Sequence, residues 1–210
     1  MEEWSDWEKV AVSLARQAGA LVLETLRGDK TITVKSSDVD LVTETDKKSE
    51  ELIIRGIKQA FPTHNVIGEE SFSASGALSY AFSSDQPNWL IDPVDGTTNF
   101  VHGFPYCCVS IGIAVGTQPV VGVVFNPATD ELFSAVQGKG AFLNGKLIRV
   151  SPCSSVSQAA VITEFGYARE PAQVGLIFRR LESLLAKRAQ CIRCLGSAAL
   201  NLCYGKIGLL

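Results

Sequence analysis

No stretch of this 210-residue chain is long and apolar enough to span a bilayer, so a membrane-embedded protein is not expected. No dense basic run is present, and the formal net charge is -3 with a pI near 5.5. Nucleic acid is therefore not expected as a main partner. The opening residues Met1-Glu2-Glu3-Trp4-Ser5-Asp6 lack a basic segment followed by an apolar one. A secretory leader is not expected, and a cytoplasmic location is. Internal repeats and low-complexity tracts are missing as well. There is no disulfide framework either, because adjacent Cys107 and Cys108 sit in a strand that reads as buried. The six cysteines read as reduced and mostly core. Cys191 and Cys194 have C-x-x-C spacing, yet no second pair completes a zinc site, and they read as structural.

What is present is a core-forming composition, 46% hydrophobic and 20% charged. A mildly acidic chain that handled an anionic substrate would need a local device to hold it, and a metal ion is one. Ser5 and Glu8 have the spacing of a capping box. They precede a helical stripe of Trp7, Val10, Ala11, Leu14, Ala18, Leu21 and Val22 that Gly28-Asp29 stops. Thr31 to Lys35 alternates like a short strand. Asp46 opens a second helix, with Leu52, Ile53, Ile57, Ala60 and Phe61 as its buried set and Pro62 at its end. Val66-Ile67-Gly68 is a short strand, and Ser71 to Gln86 reads as a loop with at most one helical turn. From Trp89 the period becomes two. Strands are predicted at Val109–Val115, Val120–Phe125, Glu131–Val136 and Ala141–Leu143, and Asn144-Gly145 is a hairpin signal. This block predicts an antiparallel meander. Residues 151–157 form a polar connection that divides the chain into a region 1–150 and a smaller α/β region 151–210. The second region offers a strand at Val161–Thr163, a helix with a Val174, Ile177, Phe178, Leu181, Leu184 and Leu185 stripe, a strand at Cys191–Leu195, and a helix opened by Gly196-Ser197.

The carboxylates carry the chemistry. Asp92 follows the apolar run Trp89-Leu90-Ile91, and Pro93-Val94-Asp95 returns a second carboxylate within a tight turn. Paired carboxylates and a carbonyl such as that of Val94 are the ligands that hard divalent ions take. Two such ions roughly 3.5–4 Å apart polarise a phosphoryl group, activate water and stabilise the leaving oxygen. Gly96 allows a close turn, and Thr97-Thr98 opens a segment whose N–H groups can meet an anion. D-x-x-D alone is also a plain turn with two solvated aspartates, whereas D-P-x-D-G-T-T-N-F after an apolar strand is far more specific. Glu69 and Glu70 are either surface charge at a strand end or, beside the Asp92 motif, a source of one metal ligand, Glu69. Asp46 either favours a helix N-terminus by its charge or orients an attacking water. Lys35 is either a surface lysine or a charge near the phosphate. His102 reads as a packing or hydrogen-bonding residue rather than a base, and Trp89 as core.

Taken together, three elements resemble the inositol monophosphatase family: Asp40-Leu41-Val42-Thr43-Glu44-Thr45-Asp46, Ile67-Gly68-Glu69-Glu70-Ser71, and Trp89 to Pro105 (WLIDPVDGTTNFVHGFP). Similar stretches continue through Gly122–Pro127, Gly138–Gly145 and Gly196–Cys203. The resemblance implies an α+β, layered αβαβα sandwich and dimeric, lithium-sensitive, Mg2+-dependent hydrolysis of a small phosphate monoester. By that similarity Glu69, Asp92 and the Val94 carbonyl hold a first metal, and Asp92 and Asp95 share a second. Thr97 with Asp46, and Glu69 through its metal, activate the water. The N–H groups of Gly96 and Thr97 receive the phosphate, with Lys35 and Asp95 also at the substrate and Ala198 near the inositol ring. A later W-D-x-A-A-G element of the family, which supplies a further metal-binding aspartate, has no counterpart in these residues. The expectation is an incomplete C-terminal layer and a weakened second metal site. A phosphatase for histidinol phosphate or a sugar phosphate, or a non-catalytic product that pairs with a full-length homologue, are the alternatives.

Overall fold

Alternating side chains dictate a sheet with one strongly apolar face, and the computed structural model, which describes residues 2–34, 41–75, 82–167 and 169–206, has it. Seven strands pair in chain order: β3 (Asn65–Gly68), β4 (Pro87–Asp95), β5 (Cys108–Val115), β6 (Gln118–Asn126), β7 (Glu131–Val136), β8 (Gly140–Leu143) and β9 (Lys146–Ile148). β3 and β4 are parallel and every later pair is antiparallel, so the predicted meander is embedded in a mixed sheet. Two strands before it, β1 (Ile32–Val34) and β2 (Leu41–Thr43), form a separate antiparallel ribbon.

The apolar face of the sheet lies under α1 (Glu2–Thr25) and α2 (Glu44–Ala60). Trp7, Ala11, Leu14, Ala15, Ala18 and Val22 of α1 and Ile53 and Ile57 of α2 share one core with Trp89, Ile91, Val109, Ile111, Ile113, Val121, Val123 and Phe125. Burying each Val, Ile or Leu contributes about 1.5–3 kcal/mol, so this layer is the main source of stability. The opposite face is smaller. Leu200, Cys203 and Tyr204 of α6 (Ala198–Lys206) pack there against Cys108, Val124 and Phe133. Between sheet and α6 the chain makes β10 (Ala160–Ile162), α5 (Pro171–Ala186) and β11 (Cys191–Arg193); β10 and β11 pair in parallel. The layering is that of a mixed α+β sandwich with its central sheet flanked by helices. Among the described residues no helix is long and apolar enough to cross a membrane.

Several local expectations are corrected. α1 starts at Glu2, so Ser5 is inside its first turns rather than at the cap. α2 starts before Asp46: Thr43 is its N-cap and Asp46 its third residue, closing a reciprocal capping box. Ala60 is exposed at the end of α2. Residues Glu69–Ser75 form a seven-residue helix, α3, that starts earlier and runs longer than the one helical turn expected within Ser71 to Gln86. β4 does not stop at Asp92 but continues to Asp95 through a register shift. Phe178 and Leu185 are exposed on α5. Only Cys107 and Cys108 are buried; Cys153 and Cys194 are exposed.

Candidate active site

Two parallel strands that end together bring the first carboxylates together. β3 and β4 pair with Gly68 opposite Ile91, so the next residues, Glu69 and Asp92, lie side by side. Their side chains are hydrogen-bonded. Asp92 Oδ1 also accepts from the Val94 N–H at 3.2 Å. Burial pushes the Asp92 carboxyl well above the usual carboxylate range, and the neighbouring charges of Glu69 and Asp95 push it further. Negative groups gathered against one another in this way are relieved by a cation.

The second carboxylate of the motif reaches the same side through a bulge. Asp92 pairs with Ser110 and Asp95 with Cys108, so Pro93 and Val94 oppose one residue, Val109. In an unbroken strand, residues three apart point to opposite faces; the extra residue returns Asp95 to the face of Asp92. The Asp95 carboxylate is occupied. Its Oδ2 accepts from Ser197 Oγ at 2.5 Å and the Ala199 N–H at 2.7 Å, and its Oδ1 from the Ala198 N–H at 3.2 Å. It thus serves the start of α6 as an N-terminal cap, a role absent from the sequence reasoning. Consistent with this, no three His, Cys, Asp or Glu side chains among the described residues converge on one point. The residues nevertheless fit a divalent ion at Glu69 and Asp92, where two oxygen donors share one hydrogen-bonded contact. Asp95 keeps one lone pair on Oδ1.

Gly96 follows with φ of 94° and begins α4 (Thr97–Val101). A Cβ there would meet the Tyr106 carbonyl at 3.0 Å, so only glycine makes this turn without strain. The turn aims Thr97 at two acceptors: its hydroxyl lies 3.0 Å from the Val94 carbonyl and 3.4 Å from Asp46 Oδ1. Asp46 is buried, and its Oδ2 accepts from both the N–H (2.9 Å) and the hydroxyl of Thr43. Asp46 thus closes the capping box of α2 with one oxygen and faces the Thr97 hydroxyl with the other.

Asp95, Gly96, Thr97 and Ala198 line one cavity of about 510 Å3, with His102, Glu164 and Tyr167 also on its wall. Glu69 and Asp92 line a second cavity of about 410 Å3 with Ile67, Leu90 and Ser110. His102 is exposed, which removes the packing half of its reading and bears on neither hydrogen bonding nor proton transfer. Trp89 is core, with its Nε1 donating to His64 Nδ1 at 3.0 Å. Lys35 lies outside the described residues. Sequence reasoning missed several supports. Asn99 donates to the carbonyls of Leu195 at 2.6 Å and Tyr106 at 2.8 Å. Glu164 accepts from the Gly196 N–H at 2.8 Å and from Asn201 Nδ2 at 2.6 Å. Asn99 stands in the D-G-T-T-N-F run and could have been singled out; Glu164 carries no local signal.

Residues 3–208 match the inositol monophosphatase family model. Inositol monophosphatase 2 of Solanum lycopersicum is 50% identical over 204 residues, 97% of this chain and 74% of that protein. Inositol monophosphatase 1 of Sus scrofa is 43% identical over 208 residues, 99% of this chain and 74% of that protein. Among solved structures, the extragenic suppressor protein suhB of Bartonella henselae superposes with a TM-score of 0.83 at 30% identity, over 95% of this chain and 74% of that one. An inositol monophosphatase from Anabaena gives 0.78 at 34% identity, over 98% and 73%.

Proposed function

Because this chain belongs to the inositol monophosphatase family, and is therefore a phosphatase whose family implies a divalent metal, we propose that it hydrolyses inositol monophosphate to inositol and phosphate with Mg2+. The observation that carries this reading is the Glu69–Asp92 carboxyl pair at adjoining strand ends, in a motif whose Val94 carbonyl accepts from the Thr97 hydroxyl at 3.0 Å. Such a cation supplies a Lewis acid for the phosphoryl group and an acidified water. Glu69, Asp92 and the Val94 carbonyl would hold it, and Asp95 would offer its remaining Oδ1 lone pair to a second ion.

The chain's own residues do the rest. The Thr97 hydroxyl accepts a hydrogen bond from the attacking water and donates to Asp46, whose buried carboxylate is the proton's destination. The N–H groups of Gly96 and Thr97, at the start of α4, have no partner within that helix and face phosphate oxygens. Ala198, exposed on the wall of the larger cavity, faces the alcohol part of the ester. A cytoplasmic homodimer inhibited by lithium, with Lys35 near the phosphate, completes the reading.

The test is phosphate release from inositol 1-phosphate with and without Mg2+, beside histidinol phosphate and a sugar phosphate. Preference for the inositol ester, with turnover abolished by Asp92→Asn, is expected. Preference for another ester would reassign the substrate. Absence of turnover with co-purification of a longer homologue would replace the enzyme by a pairing role.

A further inference from the structure

The helix that begins with Glu69 is held by a carboxylate from elsewhere in the chain. Glu50, on α2, is 3% exposed, and backbone N–H groups and a hydroxyl hold its carboxylate. Its Oε2 accepts from the Glu70 N–H at 2.8 Å, and its Oε1 from the Ser71 N–H at 2.9 Å and the Ser71 hydroxyl. These donors belong to the first turn of α3, immediately after Glu69. A buried carboxylate spends that many hydrogen bonds at one place only where the geometry is fixed, since each donor left unpaired costs about 1–3 kcal/mol.

A second observation comes from the other side of Glu69. Gly68 has no unusual backbone requirement, but a Cβ built on it would lie 2.3 Å from Glu50 Cδ and 2.4 Å from Oε2. The glycine is there for space: its missing side chain is the seat of the Glu50 carboxylate. Glu69 is thus bracketed by Gly68, which admits Glu50, and by Glu70 and Ser71, which bind it.

We propose that Glu50 is a positioning residue that, seated against Gly68, fixes the start of α3 and so aims Glu69 at Asp92 for metal binding. The proposal rests on the reading of Glu69 as a metal ligand. Removal of Glu50 leaves every ligand in the chain but lets the α3 turn rotate, so the expected loss is in metal affinity. Partners behind metal ligands typically set affinity by about 10- to 100-fold.

Direct Mn2+ titration of the purified full chain, read by the electron paramagnetic resonance signal of the free ion, decides it. Glu50→Gln should weaken Mn2+ binding by about 10- to 100-fold. Gly68→Ala should do the same, because the flexible carboxylate is pushed from its seat while the backbone stays in place. The double variant should bind no more weakly than the weaker single variant, since both remove one interaction. Turnover of each should recover towards the wild-type maximum at high Mg2+, which separates positioning from catalysis. Titrations of Glu50→Gln and Gly68→Ala that superimpose on wild type, whatever happens to the melting temperature, overturn the proposal. If Glu50→Gln fails to fold, Gly68→Ala decides alone, with Ser71→Ala, an exposed residue that removes one donor, as its milder companion. Wild-type protein that binds Mn2+ but releases no phosphate from inositol 1-phosphate would count against the substrate reading and leave the Glu50 result standing.

Discussion

Replacing Asp95 by alanine separates the helix-capping role seen in the structure from a metal role. The variant loses three hydrogen bonds that the start of α6 donates to the carboxylate: from Ser197 Oγ at 2.5 Å, the Ala199 N–H at 2.7 Å and the Ala198 N–H at 3.2 Å. The Ala198 N–H is exposed and water replaces its partner at little cost. Loss of the cap at Ala199 costs about 1 kcal/mol. Ser197 is fully buried, and its hydroxyl proton would be left with only the weak acceptor Cys108 Sγ at 3.6 Å, a loss of about 1–3 kcal/mol. The sum is about 2–4 kcal/mol, a fall in Tm of about 5–15 °C for a domain of this size. The loss should be present without any metal. Thermal unfolding by circular dichroism in chelator measures it, and hydrogen exchange at the amides of α6 should show the same residues opening first. Asp95→Asn keeps one acceptor and should lose less than half as much. A metal-free Asp95→Ala protein that melts within about 2 °C of wild type would refute the capping argument.

Gly196 has φ of 87°, and a Cβ there would meet Asn99 Nδ2 at 2.8 Å. Gly196→Ala should destabilise by about 1–3 kcal/mol, readable as a lower urea midpoint with unchanged slope. His64 is buried beside Trp89, and burial first of all, aided by Lys58 and opposed by Glu3, holds its imidazole below the ordinary value of 6.5. The folded state therefore binds fewer protons than the unfolded one between the two values. The stabilisation from neutral His64 should be complete above about pH 6.5 and decline as pH falls through the lower folded pKa, in step with an NMR titration of its ring. Mg2+ or Mn2+ should raise the Tm of wild-type protein and leave that of Asp92→Asn unmoved, because ligand binding to the native state stabilises it by mass action.

The parts of the fold set by local pattern were legible. Period-two runs gave β5 to β8 within a residue or two, and Asn144-Gly145 forms its hairpin turn with φ of 47° and 75°. The parts set by distant partners were not. α3 is seven residues long and is held at its start by Glu50, twenty residues before Glu70, so its own Ser-rich sequence suggested no more than one helical turn. Ser5 resembled a cap, but good helix formers before it extend α1 to Glu2. In the candidate site, Asp92, Glu69, Thr97 and Asp46 were singled out by residue type, spacing and family resemblance, and the structure sets Glu69 beside Asp92 and Thr97 beside Asp46. The engagement of Asp95 by α6 was hidden, because Ser197 and Ala199 lie a hundred residues away. The bulge at Pro93-Val94 was hidden too: proline marked a break, and the strand instead absorbs one extra residue.

The central claim is that a divalent ion is held against Glu69 and Asp92. Anomalous diffraction near the manganese edge, from crystals of the wild-type chain soaked in Mn2+, tests it directly. The account predicts an anomalous peak in contact with the carboxylates of Glu69 and Asp92, and its loss in Asp92→Asn. A peak elsewhere in the chain, or no peak at these two residues at saturating Mn2+, would contradict it.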